Sequence, residues 1–179
     1  MMIIDENLKY LAKANDVCER EDLIEDFCIQ IRLSNSTYYK PKKENVRIIY
    51  GANSDGVFDS YEMVEPQDTP MKLEPMDRVL ACSQEKYKIP RDVFGLVQTK
   101  GSLARLFVQV TCCDGQIEPG FEGKITLEIV NLSPFSIEIP TLSKVAQLYL
   151  FQCSMKSRKP YNGKYAGHDF PTLPDFNNF

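Results

Sequence analysis

The chain has 179 residues, a formal net charge of −4 and 43% hydrophobic residues. This length predicts one domain, and the apolar content suffices for a core without disulfides. The acidic balance argues against nucleic acid as a partner. No run approaches the ~20 apolar residues of a membrane span, and the first residues do not resemble a signal peptide. We therefore expect a cytoplasmic protein without a membrane partner.

Cysteine and histidine usage offers no zinc site. The six cysteines include no CxxC pair, and His168 is the only histidine. Zinc needs such ligands at short, fixed spacings, and the zinc deaminase signature, HxE followed by PCxxC, is absent from the sequence. Cys112 and Cys113 would point to opposite faces of a strand and would not pair. We expect free thiols in a reducing compartment, and no zinc.

The first third of the chain predicts one short helix and two strands. Asp5 is expected to cap the helix, whose apolar residues three and four apart share a face. Residues 24–33 contain an apolar–polar alternation that is typical of a strand, and residues 46–50 are a second strand candidate. Residues 51–56 read GANSDG, which favours a turn and opens a loop.

Short apolar runs separated by Pro and Gly continue to residue 151. They predict strands over residues 71–73, 78–82, 93–98, 106–112, 124–130, 136–139 and 146–151. Many short strands with turn residues between them are typical of a β-sandwich, jelly roll or barrel. The tail, residues 156–179, keeps several aromatic residues that a disordered tail would lack. We expect it to order as a flap, the alternative being a tail packed on a neighbouring subunit.

The candidate chemistry begins at a turn that carries two cations. Gly101 and Ser102 separate a predicted strand from helix-favouring residues, so backbone N–H groups there would face an anion. Lys100 and Arg105 supply the countercharge. The turn therefore predicts a phosphate site, and an ordinary strand-to-helix turn is the alternative.

A single carboxylate, Glu128, lies in the apolar strand that ends this region. The alternation places it on the face opposite Leu127 and Ile129. If that face is buried, desolvation would raise the pKa of Glu128 and a cation such as Arg105 would lower it. A carboxylate poised in this way suits a general base. The alternative is a strand residue that faces solvent.

Three segments of the chain resemble the core of the dCTP deaminases, which belong to the trimeric dUTPase-like superfamily. The family pattern is approximately RSSLAR, TAGxIDPGFxG and ITLE, and here the spacing from Arg105 to Glu128 matches it without a gap. The matching segments are GSLAR (101–105), IEPGFEG (117–123) and ITLEIVN (125–131). Flanking family motifs are matched by IQIRLS (29–34), PRDVFG (90–95) and YNGKYAGH (161–168).

The resemblance implies one dCTP deaminase-like domain over residues 1–179, with residues 156–179 as its flap. Its fold would be mainly β, a distorted jelly roll or barrel of the dUTPase-like type. A short helix would lie near the N-terminus and another after the Lys100-Gly101-Ser102 turn. The implied assembly is a homotrimer with each site between subunits.

The implied reaction is metal-free hydrolytic deamination of a cytosine deoxynucleotide, dCTP to dUTP and ammonia. Glu128 would deprotonate the water that attacks C4 and then pass protons to the ring nitrogen and the leaving ammonia, while Arg105 would hold its carboxylate. Mg²⁺ would be bound through the nucleotide triphosphate and not by a protein cage. The implied substrate-binding residues are Lys100, Gly101, Ser102, Asp114, Gln116, Ile117, Glu118, Tyr161, Lys164 and His168.

Several of these positions depart from the family pattern. Lys100 replaces an arginine and loses its bidentate fork. The other departures are Gly101 for serine, Asp114 for alanine, Glu118 for aspartate, His168 for glutamine and Gln30 for aspartate. Asp114 could select a modified cytosine or perturb Glu128. Two alternatives follow: a dUTPase-like diphosphohydrolase, alone or in a bifunctional enzyme, and a non-catalytic nucleotide-binding trimer.

Overall fold

The computed structural model describes residues 1–42, 46–51, 55–66 and 69–176. β-Structure dominates it, with two short helices, α1 (Asp5–Ala14) and α2 (Asp55–Asp59), a single helical turn, α3 (Gly101–Ala104), and a 3₁₀ turn at Glu21–Leu23. The strands are β1 (Ile29–Arg32), β2 (Tyr38–Pro41), β3 (Tyr61–Val64), β4 (Met71–Leu73), β5 (Arg78–Lys88), β6 (Val93–Thr99), β7 (Val108–Gln109), β8 (Gln116–Ile117), β9 (Glu122–Asn131), β10 (Ile137–Ile139) and β11 (Lys144–Gln152).

The described strands pair antiparallel in three sheets. One has the order β1-β11-β6-β8, the second β3-β2-β5-β9-β7, and β10 pairs with β4 in the third. In β9, the inward-facing residues Ile125, Leu127 and Ile129 are all buried, as its period-two pattern requires. They join one apolar cluster with residues from the first sheet, such as Val97 and Leu148. The prediction of a mainly β fold is confirmed, and α1 and α3 are the short helices predicted near the N-terminus and at the Lys100-Gly101-Ser102 turn.

The structure departs from three local predictions. Residues 46–50 form no strand and their apolar side chains are exposed, because β3 takes the place beside β2 in the sheet. Asp5 begins α1 and does not cap it, since Ile4 is the residue that precedes the helix and no side chain caps that end. The predicted strand over residues 106–112 is also shortened to β7, after which the chain bends.

The C-terminal tail lies along the start of β9 in its own chain. The N–H of Tyr161 donates to the carbonyl of Pro119 at 2.9 Å, and the N–H of Gly167 donates to that of Glu122 at 2.7 Å. The N–H of Lys124 donates in turn to the carbonyl of His168 at 3.1 Å. These bonds fix the tail over one end of the second sheet. In the described ranges, no helix combines the length and apolar character needed to cross a membrane.

Candidate functional site

A cavity of about 430 Å³ opens between β9, the segment over residues 111–118 and the tail. Glu128 lines it, and so do five of the predicted substrate-binding residues: Asp114, Gln116, Ile117, Glu118 and Tyr161. Thr126 lies beside Glu128 because alternate residues of a strand share a face. One wall of this cavity is therefore formed by residues that the sequence analysis singled out.

The carboxylate of Glu128 is held by a backbone loop. Its Oε2 accepts hydrogen bonds from the N–H of Cys113 at 2.9 Å and the N–H of Asp114 at 3.2 Å. The N–H of Cys112 donates to the main-chain carbonyl of Glu128 at 3.1 Å, so the loop is tied to backbone and side chain alike. Oε1 accepts no hydrogen bond from the described part of the chain. One oxygen is thus fixed and the other is left for a ligand or water in the cavity.

The loop residues also correct a sequence prediction. Cys112 and Cys113 lie in a bend and not on a strand, so their side chains are not forced to opposite faces. Hydrogen bonding to the Cys112 thiol raises the pKa of the Cys113 thiol, and the negative charge of Glu128 adds to the effect. All six cysteines are free thiols in the structure.

Arg105 does not contact Glu128 within one chain. Its Nη1 donates to the carbonyl of Gly101 at 3.0 Å, and the side chain is exposed at the end of α3. Neither Arg105 nor its neighbours Lys100, Gly101 and Ser102 line the cavity that holds Glu128. Within a single chain, the carboxylate and the cationic turn therefore lie apart from each other.

The cationic turn is anchored to the first sheet. The backbone N–H of Lys100 donates to the carbonyl of Val145 at 2.9 Å. Its Nζ donates to Oε1 of Gln30 at 3.3 Å. Ser102 is exposed on α3. The N-terminal end of α3 therefore lies at the surface of this chain.

Of the three predicted tail residues, only Tyr161 reaches the cavity. Its ring packs against Phe121 with centroids 6.1 Å apart, and burial raises the pKa of its hydroxyl, with a smaller contribution from the charge of Glu118. Lys164 donates to the main-chain carbonyl of Asp175, and Nε2 of His168 lies 2.9 Å from the carbonyl of Lys164. Lys164 and His168 thus make hydrogen bonds inside the tail.

Sequence reasoning did not name several residues that line the cavity, among them Lys124, Tyr165 and a hydrogen-bonded pair, Thr126 and Thr172. The N–H of Thr172 donates to Oγ1 of Thr126 at 3.2 Å, and the two hydroxyl oxygens lie 3.1 Å apart. The alternation that singled out Glu128 also marked Thr126, since both occupy one face of β9. Nothing local marked Thr172, because its partner is 46 residues away.

Fold and site together define an antiparallel β protein with a carboxylate-bearing cavity covered by its C-terminal tail. Residues 5–153 match the family model described as dCTP deaminase-like, and the chain belongs to that family. Within the described residues, no three His, Cys, Asp or Glu side chains converge as a protein-bound metal would require.

Individual relatives agree with this assignment. The chain is 32% identical over 166 residues to the dUMP-forming dCTP deaminase of Streptomyces avermitilis, covering 89% of this chain and 85% of that one. It is 36% identical over 106 residues to the dUMP-forming dCTP deaminase of Thermobifida fusca, covering 59% and 54%. The fold resembles the 2′-deoxycytidine 5′-triphosphate deaminase of Agrobacterium tumefaciens, with a TM-score of 0.62 and 18% identity. That match covers 83% of this chain and 48% of the other. The chain therefore spans about half the length of the Agrobacterium tumefaciens and Thermobifida fusca proteins.

Proposed function

We propose that this protein deaminates a cytosine deoxynucleotide, with dCTP as the substrate and dUTP and ammonia as the products. The observation that carries the proposal is the carboxylate of Glu128, which lines the cavity with Oε2 fixed by two backbone amides and Oε1 unbonded. A general base needs such a fixed, accessible oxygen within reach of a water molecule. Membership of the dCTP deaminase-like family supports the choice of substrate.

In the proposed reaction, Glu128 takes a proton from a water molecule whose oxygen then bonds to C4 of cytosine. The carboxylic acid returns this proton to the ring nitrogen N3, and the remaining water proton leaves with the amino group as ammonia. The bond from C4 to the amino nitrogen breaks, and a carbonyl forms at C4. One water is consumed for each ammonia released. Hydrogen bonds from the N–H groups of Cys113 and Asp114 hold the Glu128 carboxylate in place at the cavity wall.

The cationic turn completes the site from a neighbouring subunit. Within one chain, Arg105, Lys100 and Ser102 lie outside the cavity, and Arg105 and Ser102 are exposed. In a homotrimer, Arg105 of the next subunit would hold the Glu128 carboxylate. Lys100 and Ser102 would contact the triphosphate, where Gly101 leaves room for close approach. Mg²⁺ would reach the site on the triphosphate.

The rest of the cavity surrounds the nucleoside. Asp114 and Gln116 would face the base, and Ile117 and Glu118 would face the sugar, with Tyr161 covering it from the tail. Lys164 would have to leave the carbonyl of Asp175 to reach a phosphate, so the tail would rearrange on binding. The tail then acts as the flap of the active site, with His168 near the phosphates.

A second candidate is the bifunctional reaction, in which dUTP is hydrolysed further to dUMP and pyrophosphate. It is favoured by two relatives that are dUMP-forming dCTP deaminases. Glu118 lines the cavity and is the group that would activate the second water. A nucleotide-binding trimer without catalysis is the remaining alternative.

One assay separates these functions. The purified protein is incubated with dCTP, dUTP or dCMP and magnesium, and ammonia, nucleotides and pyrophosphate are measured. We expect the wild type to release ammonia and dUTP from dCTP. Glu128→Gln should abolish this reaction. The control variant Glu122→Gln, at an exposed position of the same strand, should retain it. Ammonia with dUMP and pyrophosphate would establish the bifunctional reaction. Pyrophosphate without ammonia, or binding without turnover, would refute deamination.

A further inference from the structure

A buried glutamine lies directly behind the cationic turn. Gln30 on β1 is 1% exposed. Its Oε1 accepts a hydrogen bond from Nζ of Lys100 at 3.3 Å, and its Nε2 donates to Oε2 of Glu25 at 2.8 Å. Both sides of the side-chain amide are therefore used. A buried amide satisfied at both ends has one favourable orientation, which makes it a rigid support.

The backbone holds the two residues in fixed positions. β11 pairs with β1, where Gln147 lies opposite Gln30, and the same strand accepts the N–H of Lys100 through Val145. Gln30 and Lys100 are 70 residues apart in sequence and meet only because β11 lies between their strands. The direction in which the Lys100 ammonium points thus depends on β11, an interior strand of this sheet.

The contact extends to a second lysine. Nζ of Lys144 donates to Oε1 of Glu25 at 3.2 Å, which gives the chain Lys100, Gln30, Glu25, Lys144. Partial burial opposes ionisation of Glu25, but hydrogen bonds from Gln30 and Lys144 outweigh it and lower its pKa. The cluster then contains two cations and one anion. The anion contacts Lys144 directly and Lys100 only through a neutral amide, and the charge of Lys100 also helps to lower the pKa of Glu25.

We infer that Gln30 is a positioning residue that fixes the Lys100 ammonium for a phosphate of the nucleotide and, being neutral, leaves its charge available. The inference rests on the proposed function, because it takes Lys100 as a phosphate ligand. An arginine offers N–H groups on two edges and can serve a carboxylate and a phosphate together. A lysine ammonium is a compact charge that an adjacent carboxylate would neutralise. A neutral partner therefore suits a lysine at this position.

The same contact accounts for two departures from the family pattern at once. Gln30 stands where the pattern has aspartate, and Lys100 stands where it has arginine. Because the Gln30 and Lys100 side chains are hydrogen-bonded here, we expect an aspartate–arginine pair at the same two positions to make the equivalent contact. Replacing Gln30 with aspartate alone should weaken nucleotide binding, and replacing Lys100 with arginine as well should restore it.

A double-mutant cycle on the full-length protein tests the inference. Binding of dCTP and of deoxycytidine is measured by calorimetry for the wild type, Gln30→Glu, Lys100→Met and the double variant. We expect Gln30→Glu to weaken binding of dCTP about tenfold and of deoxycytidine less than twofold, since it replaces the amide between Glu25 and Lys100 with a second carboxylate. In the Lys100→Met background, Gln30→Glu should have no further effect on dCTP. Gln98→Asp, an exposed glutamine of β6 in the same sheet, is the control for general electrostatics.

A second pair of variants covers the case in which Gln30→Glu does not fold. Gln30→Asp should weaken dCTP binding, and adding Lys100→Arg should restore it to within about threefold of wild type. Equal losses for dCTP and deoxycytidine, or the same loss in the Lys100→Met background, would overturn the positioning role. If the wild type binds dCTP but releases no ammonia, deamination fails while this inference stands. If triphosphate gives no gain over deoxycytidine in the wild type, the inference itself fails.

Discussion

Replacing Glu128 separates its chemical role from its structural one. The carboxylate accepts backbone hydrogen bonds from Cys113 at 2.9 Å and Asp114 at 3.2 Å. Glu128→Gln keeps an oxygen that can accept both bonds but removes the basic group. Glu128→Ala removes the acceptor as well, and the loop over residues 111–118 loses its side-chain anchor. The two variants therefore should differ in stability and agree in activity.

The magnitudes follow from those two hydrogen bonds. Each contributes about 1 kcal/mol, so Glu128→Ala should lower the free energy of unfolding by about 2 kcal/mol. For a chain of this size that is a fall in Tm of about 4–8 °C. Glu128→Gln should change stability by less than about 1 kcal/mol. Loss of a general base should reduce kcat by about 10²–10⁴-fold in either variant.

Thermal unfolding followed by circular dichroism and the ammonia-release assay measure both effects. Glu122→Gln on the same strand controls for the loss of one negative charge. Activity of Glu128→Gln within tenfold of wild type would refute the assignment of the base. A Tm for Glu128→Gln as low as that of Glu128→Ala would refute the idea that the oxygen anchors the loop.

Three further predictions concern the tail, the buried ion pair and the site thiol. Gly120→Ala should speed proteolysis of the tail, because Gly120 has φ +94° and its Cβ would lie 2.5 Å from a tail proline. Gly56→Ala, where a Cβ meets open space and φ is not positive, should leave the proteolysis rate unchanged. Arg32→Met leaves the carboxylate of Glu85, which is 2% exposed, without its cationic partner. The free energy of unfolding measured in urea should fall by about 3–5 kcal/mol. Adding Glu85→Leu should recover much of this loss, and no recovery would contradict the pairing. Alkylation of Cys113 should reach half its maximal rate at a higher pH than that of a free cysteine in a short peptide, because hydrogen bonding to the Cys112 thiol raises the pKa of Cys113. A midpoint at or below that of the peptide would contradict the thiol contact.

Local patterns were enough to predict much of the fold. The apolar alternation of β9 and β11 predicted strands that the structure contains, because one face of each must enter the core. The same alternation put Glu128 and Thr126 on one face. Residues 46–50 show the limit of this reasoning, since an apolar run becomes a strand only when a neighbouring strand accepts its hydrogen bonds.

The sequence by itself determined the family, the carboxylate and the cationic turn, since each depends on residue types at short spacing. Only the tertiary structure decided which of these groups meet. The loop amides that hold Glu128 come from 14 and 15 residues away, and Gln30 reaches Lys100 across 70 residues. Tertiary structure also separated Arg105 from Glu128 within one chain. Contacts between distant residues follow from strand order and register, which are set by the packing of the whole core and not by any local pattern.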